Sequence, residues 1–164
     1  MKGHYVNVRS DSGEQFQAYL ATSIDGCGPG VVLCQEIFGV NAAMREVADQ
    51  LAEEGYTVLV PDLYWRQEAG VDLGYNEADF QRAFALYQAF DESHGIRDIA
   101  ASLHHLRGLD VCSADGLGVV GYCLGGKLAY LAACRLPEVA CRKWPAPSVT
   151  TGWASSRPCL NWKA

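Results

Sequence analysis

The sequence predicts an α/β domain with a mostly parallel sheet and an antiparallel hairpin at its N-terminus. Three observations predict it. Two short continuous apolar runs, "GVVLCQ" at 30–35 and "YTVLVP" at 56–61, bracket a segment of helical period, "NAAMREVADQLAEEG". That order is a strand–helix–strand unit with a right-handed crossover, and such runs suit strands buried on both faces. Ahead of it, "HYVNV" and "FQAYLA" flank the polar "SDSGEQ", the pattern of a β-hairpin. Later, "GLGVVG" at 116–121 is followed, after Tyr122 and Cys123, by "LGGKLAYLAACR", a further strand and then a helix.

In chain order, the first helix has Asn41 as its N-cap, with Met44, Val47, Ala48 and Leu51 on one face and Gly55 as its stop. Pro61 ends the second buried strand. Residues 62–76, "DLYWRQEAGVDLGYN", form a long loop after a strand end, where α/β proteins place their sites. Residues 77–91 and 94–107 read as two helices, the second with Ile96, Ile99, Leu103 and Leu106 on its apolar face. At about 100° per residue His105 points nearly opposite that face and His104 to its flank, so both are expected in solvent. No internal repeat is present.

Composition narrows the function. The 164 residues suffice for one packed domain and are 49% hydrophobic. The net charge is −6, which argues against nucleic acid, a ligand that needs clustered Lys and Arg. No apolar run approaches the ~18 residues of a membrane span, and "MKGHYVNVRSDSGEQF" has no apolar signal core. A cytoplasmic protein is expected. The seven cysteines, at 27, 34, 112, 123, 134, 141 and 159, contain no C-x-x-C pair, so a zinc site and a disulfide framework are both disfavoured. Most are expected to be small core residues.

The segment "GYCLGGK", 121–127, admits three readings. It fits G-x-x-x-x-G-K, but a phosphate loop continues with Ser or Thr and here Leu128 follows. Gly116, Gly118 and Gly121 also fit G-x-G-x-x-G, yet they lie before and within a strand, whereas a dinucleotide fingerprint follows one. The second reading is structural, a tight connection with glycine for room. The third is a nucleophile elbow with cysteine at its centre. Gly121 and Gly125 relieve the crowding of a sharp strand-to-helix turn, and Cys123 is held out on it. A helix N-terminus there favours the thiolate, and the N–H of Leu124 faces the same space as an oxyanion donor. The loop "CQEIFGVN", 34–41, leaves the neighbouring strand end and offers Ile37 N–H as the candidate second donor, with Glu36 beside it, which pattern alone reads as a solvated loop acid.

"QEIFGVN", "PDLYWRQ" and "GYCLGG", in that order and spacing, resemble the dienelactone hydrolase (carboxymethylenebutenolidase) family over about residues 5–134. The resemblance implies an α/β-hydrolase fold that opens an enol-lactone ring in catechol breakdown. It also implies that Cys123 is the nucleophile, that Glu36 helps deprotonate it, and that Leu124 and Ile37 donate the oxyanion hydrogen bonds. A small-molecule lactone or ester is the implied substrate, passing through an acyl-enzyme thioester, with no metal and no organic cofactor. The family also places an arginine in the helix after the long loop. Arg82 is near but out of register, and that role is not carried over.

The departures are as specific as the matches. The family's triad continues with an aspartate and then a histidine, but neither residue type follows Cys123 here. From residue 135 the chain changes character: "RLPEVACRKWPAPSVTTGWASSRPCLNWKA" holds three of the four tryptophans and four of the six prolines. The first 134 residues carry 18 acids against 8 bases, the remainder five bases against Glu138 alone. The expected organisation is therefore residues 1–134 as the N-terminal part of an α/β-hydrolase domain with an incomplete, doubly wound sheet, and residues 135–164 as an atypical, poorly ordered tail. Activity is expected to be impaired. A sheet that stops at "GLGVVG" leaves that strand as an unprotected edge, with self-association as the expected result. The alternative is a non-catalytic remnant or partner-binding module.

Overall fold

The computed structural model describes residues 2–137. Strands β1 (His4–Arg9) and β2 (Gln15–Ala21) form the antiparallel hairpin, with Val8 opposite Phe16. Strand β3 (Gly28–Cys34) leads through helix α1 (Ala42–Glu53) to β4 (Thr57–Pro61). After the long loop come α2 (Glu77–Gln88), α3 (Glu92–Arg107), β5 (Cys112–Gly121) and α4 (Leu124–Arg135). The five strands lie in the order β1-β2-β4-β3-β5. β3 runs parallel to both β4 and β5, and the hairpin joins through an antiparallel β2–β4 pair.

The continuous apolar runs are explained by cover on both sheet faces. Successive residues of a strand point to opposite faces. Val31 and Leu33 of β3, with Val58 and Val60 of β4, pack against Met44 and Ala48 of α1. Val32, Cys34 and Leu59 point the other way, into a cluster with Ile99, Leu103 and Leu106 of α3 and Leu128 of α4. Asn41 caps α1 as its sequence position predicts, its Oδ1 accepting from Met44 N at 3.1 Å.

Three expectations need correction. β5 begins at Cys112 rather than 116. The small and polar residues at its start carry no strand pattern, and pairing with β3 draws them in through a register shift between Pro29 and Gly30. His105 is half-buried rather than solvated, although His104 is exposed. The reason is that α3 packs against β1, β3, β4, β5 and α4, so more of its circumference is covered than one apolar stripe implies. The cysteines divide rather than sharing a core role. Cys34 and Cys112 are buried, and burial pushes the Cys34 thiol up to about 12, but Cys27 and Cys134 are exposed with Cys123. Cys141, Cys159 and the tail expected from 135 onward lie, beyond Pro137, outside the described residues.

β5 has one neighbour, β3, among the described residues. Within those residues it is the outer strand of the sheet, and Val120 near its end is 43% exposed. No helix among the described residues is long and apolar enough to cross a membrane.

Candidate active site

The site begins with register. Cys34 of β3 is paired with Gly121 of β5, so the two residues past each strand end, Glu36 and Cys123, emerge side by side at the carboxyl end of the sheet. Cys123 has φ 53° and ψ −118°, and it is the one non-glycine residue with positive φ among the described residues. That conformation is costly for a residue with a Cβ and persists only where the surroundings enforce it. Here the enforcement is close packing of the turn. A Cβ on Gly125 would lie 2.3 Å from Cys34 O and 2.7 Å from Gln35 O, so only glycine lets the start of α4 rest on the end of β3. Cys123 is exposed, while Leu124 and Gly125 beside it are buried. The Cys123 side chain makes no capping bond, and its carbonyl accepts from Lys127 N at 3.2 Å.

Leu124 opens α4, so its N–H has no intrahelical acceptor. Ile37 N–H likewise makes no backbone hydrogen bond among the loop and turn contacts. These are the two amides that sequence reasoning singled out, and neither donates a backbone hydrogen bond among the loop and turn contacts of the described residues.

The loop carrying Glu36 and Ile37 is bound to the 62–76 loop at several points. Gln35 Oε1 accepts from Leu63 N at 3.0 Å, Val40 N donates to Val71 O at 3.1 Å and Leu73 N donates to Phe38 O at 3.0 Å. Gly39, at φ +80°, lies against this seam, where a Cβ would come within 2.0 Å of Val71 O. Within the long loop, buried Asp62 accepts from Tyr64 N at 3.0 Å and Gly70 N at 2.7 Å. Burial raises the Asp62 pKa despite those two donors.

Glu36 is half-buried, and its carboxylate accepts from Tyr75 Oη at 3.0 Å. Among the described residues no hydrogen bond joins Glu36 to Cys123; what relates them is the register of the strands they follow. Sequence reasoning missed Tyr75, which sits in an irregular loop with no periodicity to mark it. It also missed an aromatic strip beside the site. The Phe38 ring meets Tyr75 edge-on at 4.7 Å and lies 6.4 Å from Phe80, which stacks on Phe84, with Tyr87 beyond. The spacing of Phe80, Phe84 and Tyr87 at i, i+4 and i+7 was a readable signal of one helix face. Beneath the elbow Tyr64 is fully buried, with a hydroxyl that has no partner among the described residues. Burial first, and then the charges of Cys123 and Tyr87, raise its pKa. Arg82, already set aside on register, is paired with Glu68 at the surface. No cluster of three His, Cys, Asp or Glu able to hold a metal ion occurs among the described residues.

The sequence profile of the dienelactone hydrolase family matches residues 16–142. The chain belongs to the dienelactone hydrolase family. It is 39% identical over 131 residues to the carboxymethylenebutenolidase of Pseudomonas putida, an alignment covering 79% of this chain and 55% of that relative. A carboxymethylenebutenolidase homolog of Mus musculus is 31% identical over 138 residues, covering 84% of this chain and 52% of the mouse protein. Among solved structures, a protein from Klebsiella pneumoniae described as a dienelactone hydrolase superposes with a TM-score of 0.69 at 28% identity, over 83% of this chain and 55% of that one. The α/β hydrolase GrgF from Penicillium, 18% identical, shares the fold with a TM-score of 0.67 over 85% of this chain and 44% of its own. The chain thus spans about half the length of the curated relatives it matches. Its fold is the α/β-hydrolase fold of this family, with an incomplete sheet.

Proposed function

We propose that the chain carries the nucleophile half of a carboxylic-ester hydrolase of the dienelactone type, with Cys123 as the attacking group. The observation that carries this reading is the strained backbone of an exposed cysteine at a strand-to-helix turn, with two amides that donate no backbone hydrogen bond among the described loop and turn contacts. In the proposed chemistry the Cys123 thiolate attacks the carbonyl carbon of a small enol-lactone or ester. The oxyanion that forms is held by the N–H groups of Leu124 and Ile37. Collapse breaks the ring C–O bond, the released oxygen takes up a proton, and an acyl-enzyme thioester remains for water to cleave. Glu36, two residues past the strand end that pairs with Gly121, takes the thiol proton in this scheme. No metal or organic cofactor enters this scheme. A place in catechol breakdown and a cytoplasmic setting belong to the same reading.

Residues 124–164 contain no Asp and no His. Acylation should therefore outrun deacylation in this chain, because no imidazole is supplied to activate water, and turnover should fall by orders of magnitude. Incubation with an activated ester followed by peptide-resolved mass spectrometry should find the acyl mass on Cys123. A chain left unmodified there refutes the nucleophile assignment.

A second reading is favoured by the outer position of β5 and the exposure of Val120. It makes the chain a non-catalytic module that pairs with a second copy through this edge. Steady-state lactone hydrolysis beside Cys123→Ser separates the two: a rate above that variant's background supports the hydrolase, equal rates the module.

A further inference from the structure

Glu36 is tethered, and the tether is built. Tyr75 Oη donates to Glu36 Oε2 at 3.0 Å, and Asn41 Nδ2 donates to the same Tyr75 oxygen at 3.4 Å. Asn41 is itself anchored: it is 3% exposed, its Nδ2 also donates to Leu73 O at 3.0 Å, and its Oδ1 caps α1. The Tyr75 ring is held edge-on by Phe38 at 4.7 Å. Tyr75 is 61% exposed overall, yet its ring and its hydroxyl each have a fixed partner. An aromatic side chain that gains little from burial thus has Phe38 against its ring and Asn41 and Glu36 on its hydroxyl.

We propose that Tyr75 is a positioning residue, which fixes the Glu36 carboxylate by its Oε2 through a chain of hydrogen bonds anchored on Asn41 and leaves Oε1 free to take the Cys123 thiol proton. The proposal rests on the nucleophile reading above and assigns Tyr75 a role in it. An ionised Glu36 opposes the thiolate by its charge, and a Tyr75 hydroxyl donating to Oε2 takes up part of that charge, so losing the donor strengthens the opposition. Held by Tyr75, the charge is fixed, and Oε1 stays available to the site. The donor can do this at neutral pH because the Tyr75 hydroxyl keeps its proton: the Asn41 amide pulls its pKa down, but partial burial and the Glu36 carboxylate outweigh it. The other charged groups around the site are already committed. Arg45 pairs with Asp72, Arg82 with Glu68 and Lys127 with Glu92, while Tyr64 below Cys123 is kept neutral by burial.

The test is alkylation of the full chain by iodoacetamide across pH, read at the Cys123 peptide by mass spectrometry so that the other cysteines do not interfere. Four proteins are compared: the parent, Tyr75→Phe, Glu36→Gln and the double variant. Tyr75→Phe removes one exposed oxygen and leaves the ring contacts, and superposable circular dichroism spectra check the fold. The expected result is that Tyr75→Phe moves the midpoint of the Cys123 rate profile up by about half a pH unit, slowing alkylation about threefold below it. In the Glu36→Gln background the same change should do nothing. Coupling of this kind marks action through Glu36, whereas a merely structural role moves both backgrounds alike. If Glu36→Gln shifts the profile and Tyr75→Phe does not, or if Tyr75→Phe acts equally in both backgrounds, the positioning role is refuted and the nucleophile reading stands. If Cys123 of the parent resists alkylation across the whole range, the nucleophile reading fails and the role of Tyr75 falls with it.

Discussion

Gly125→Ala tests the construction of the elbow, because two physical effects predict opposite signs. Gly125 lies in the first turn of α4, and in an unobstructed helix exchanging glycine for alanine stabilises by about 1 kcal/mol. Here the added Cβ would sit 2.3 Å from Cys34 O, 2.7 Å from Gln35 O and 2.8 Å from Cys34 C, against ordinary contacts of 3.4 Å and beyond. All three atoms are backbone at the end of a central strand, so no side chain can turn away. The start of α4 would have to retreat by about 1 Å. Overpacking of this kind costs about 3 kcal/mol, which leaves a net loss of about 2 kcal/mol once the helical gain is deducted. With a urea slope of about 2 kcal/mol/M, the denaturation midpoint followed by circular dichroism should fall by about 1 M. The same retreat carries Cys123 and Leu124 N–H away from Ile37, so acylation of Cys123 by an activated ester should weaken as well. Gly126→Ala is the control. Its nearest new contact, Gly121 O, is at 3.2 Å, and its midpoint should stay close to the parent's. A Gly125→Ala chain as stable as the parent, or more so, would refute the reasoning, since helix propensity alone would then describe the site.

Three further outcomes follow from other parts of the molecule. Asp98 is 1% exposed and its Oδ2 accepts from both Arg66 and Trp65. Burial raises its pKa despite those donors, so its contribution is full below the unfolded carboxyl value and declines as pH rises through the higher folded one. Arg66→Leu should cost about 3 kcal/mol at pH 7 and less at acid pH, once Asp98 is protonated; an equal loss at both pH values in urea titrations contradicts this. His105 is half-buried, with an Nε2 that lacks a partner among the described residues, and burial, followed by the charge of His104, lowers its pKa. A base depressed in this way destabilises the fold as pH falls below about 6.5, where the unfolded chain takes up the proton more readily, so His105→Gln should flatten the stability–pH curve on the acid side of that value. An unchanged slope counts against that account. At the sheet edge, sedimentation at rising concentration should show self-association that Val120→Lys reduces, because a charge on an outer strand discourages pairing. Equal association of both proteins places the contact elsewhere.

Much of the fold was written in local pattern. Continuous apolar runs marked β3 and β4, alternation marked the hairpin, and the helical period with Asn41 and Gly55 bounded α1, because hydrophobic cover acts on each strand and helix separately. The candidate site was legible for a similar reason. A sharp turn has to be built from glycines flanking one protruding residue, and "GYCLGG" shows that requirement in six letters. Where partners come from distant segments, the chain alone was silent. Cys112 to Asp115 became strand through the ladder that β3 offers, and His105 was covered by elements approaching α3 from several sides. Tyr75 found Glu36 across 39 residues of sequence. Propensity and periodicity are sums over neighbours in the chain. Ladder register, the cover of a helix flank and the partner of a carboxylate depend on which surfaces meet, and only the packed structure decides that.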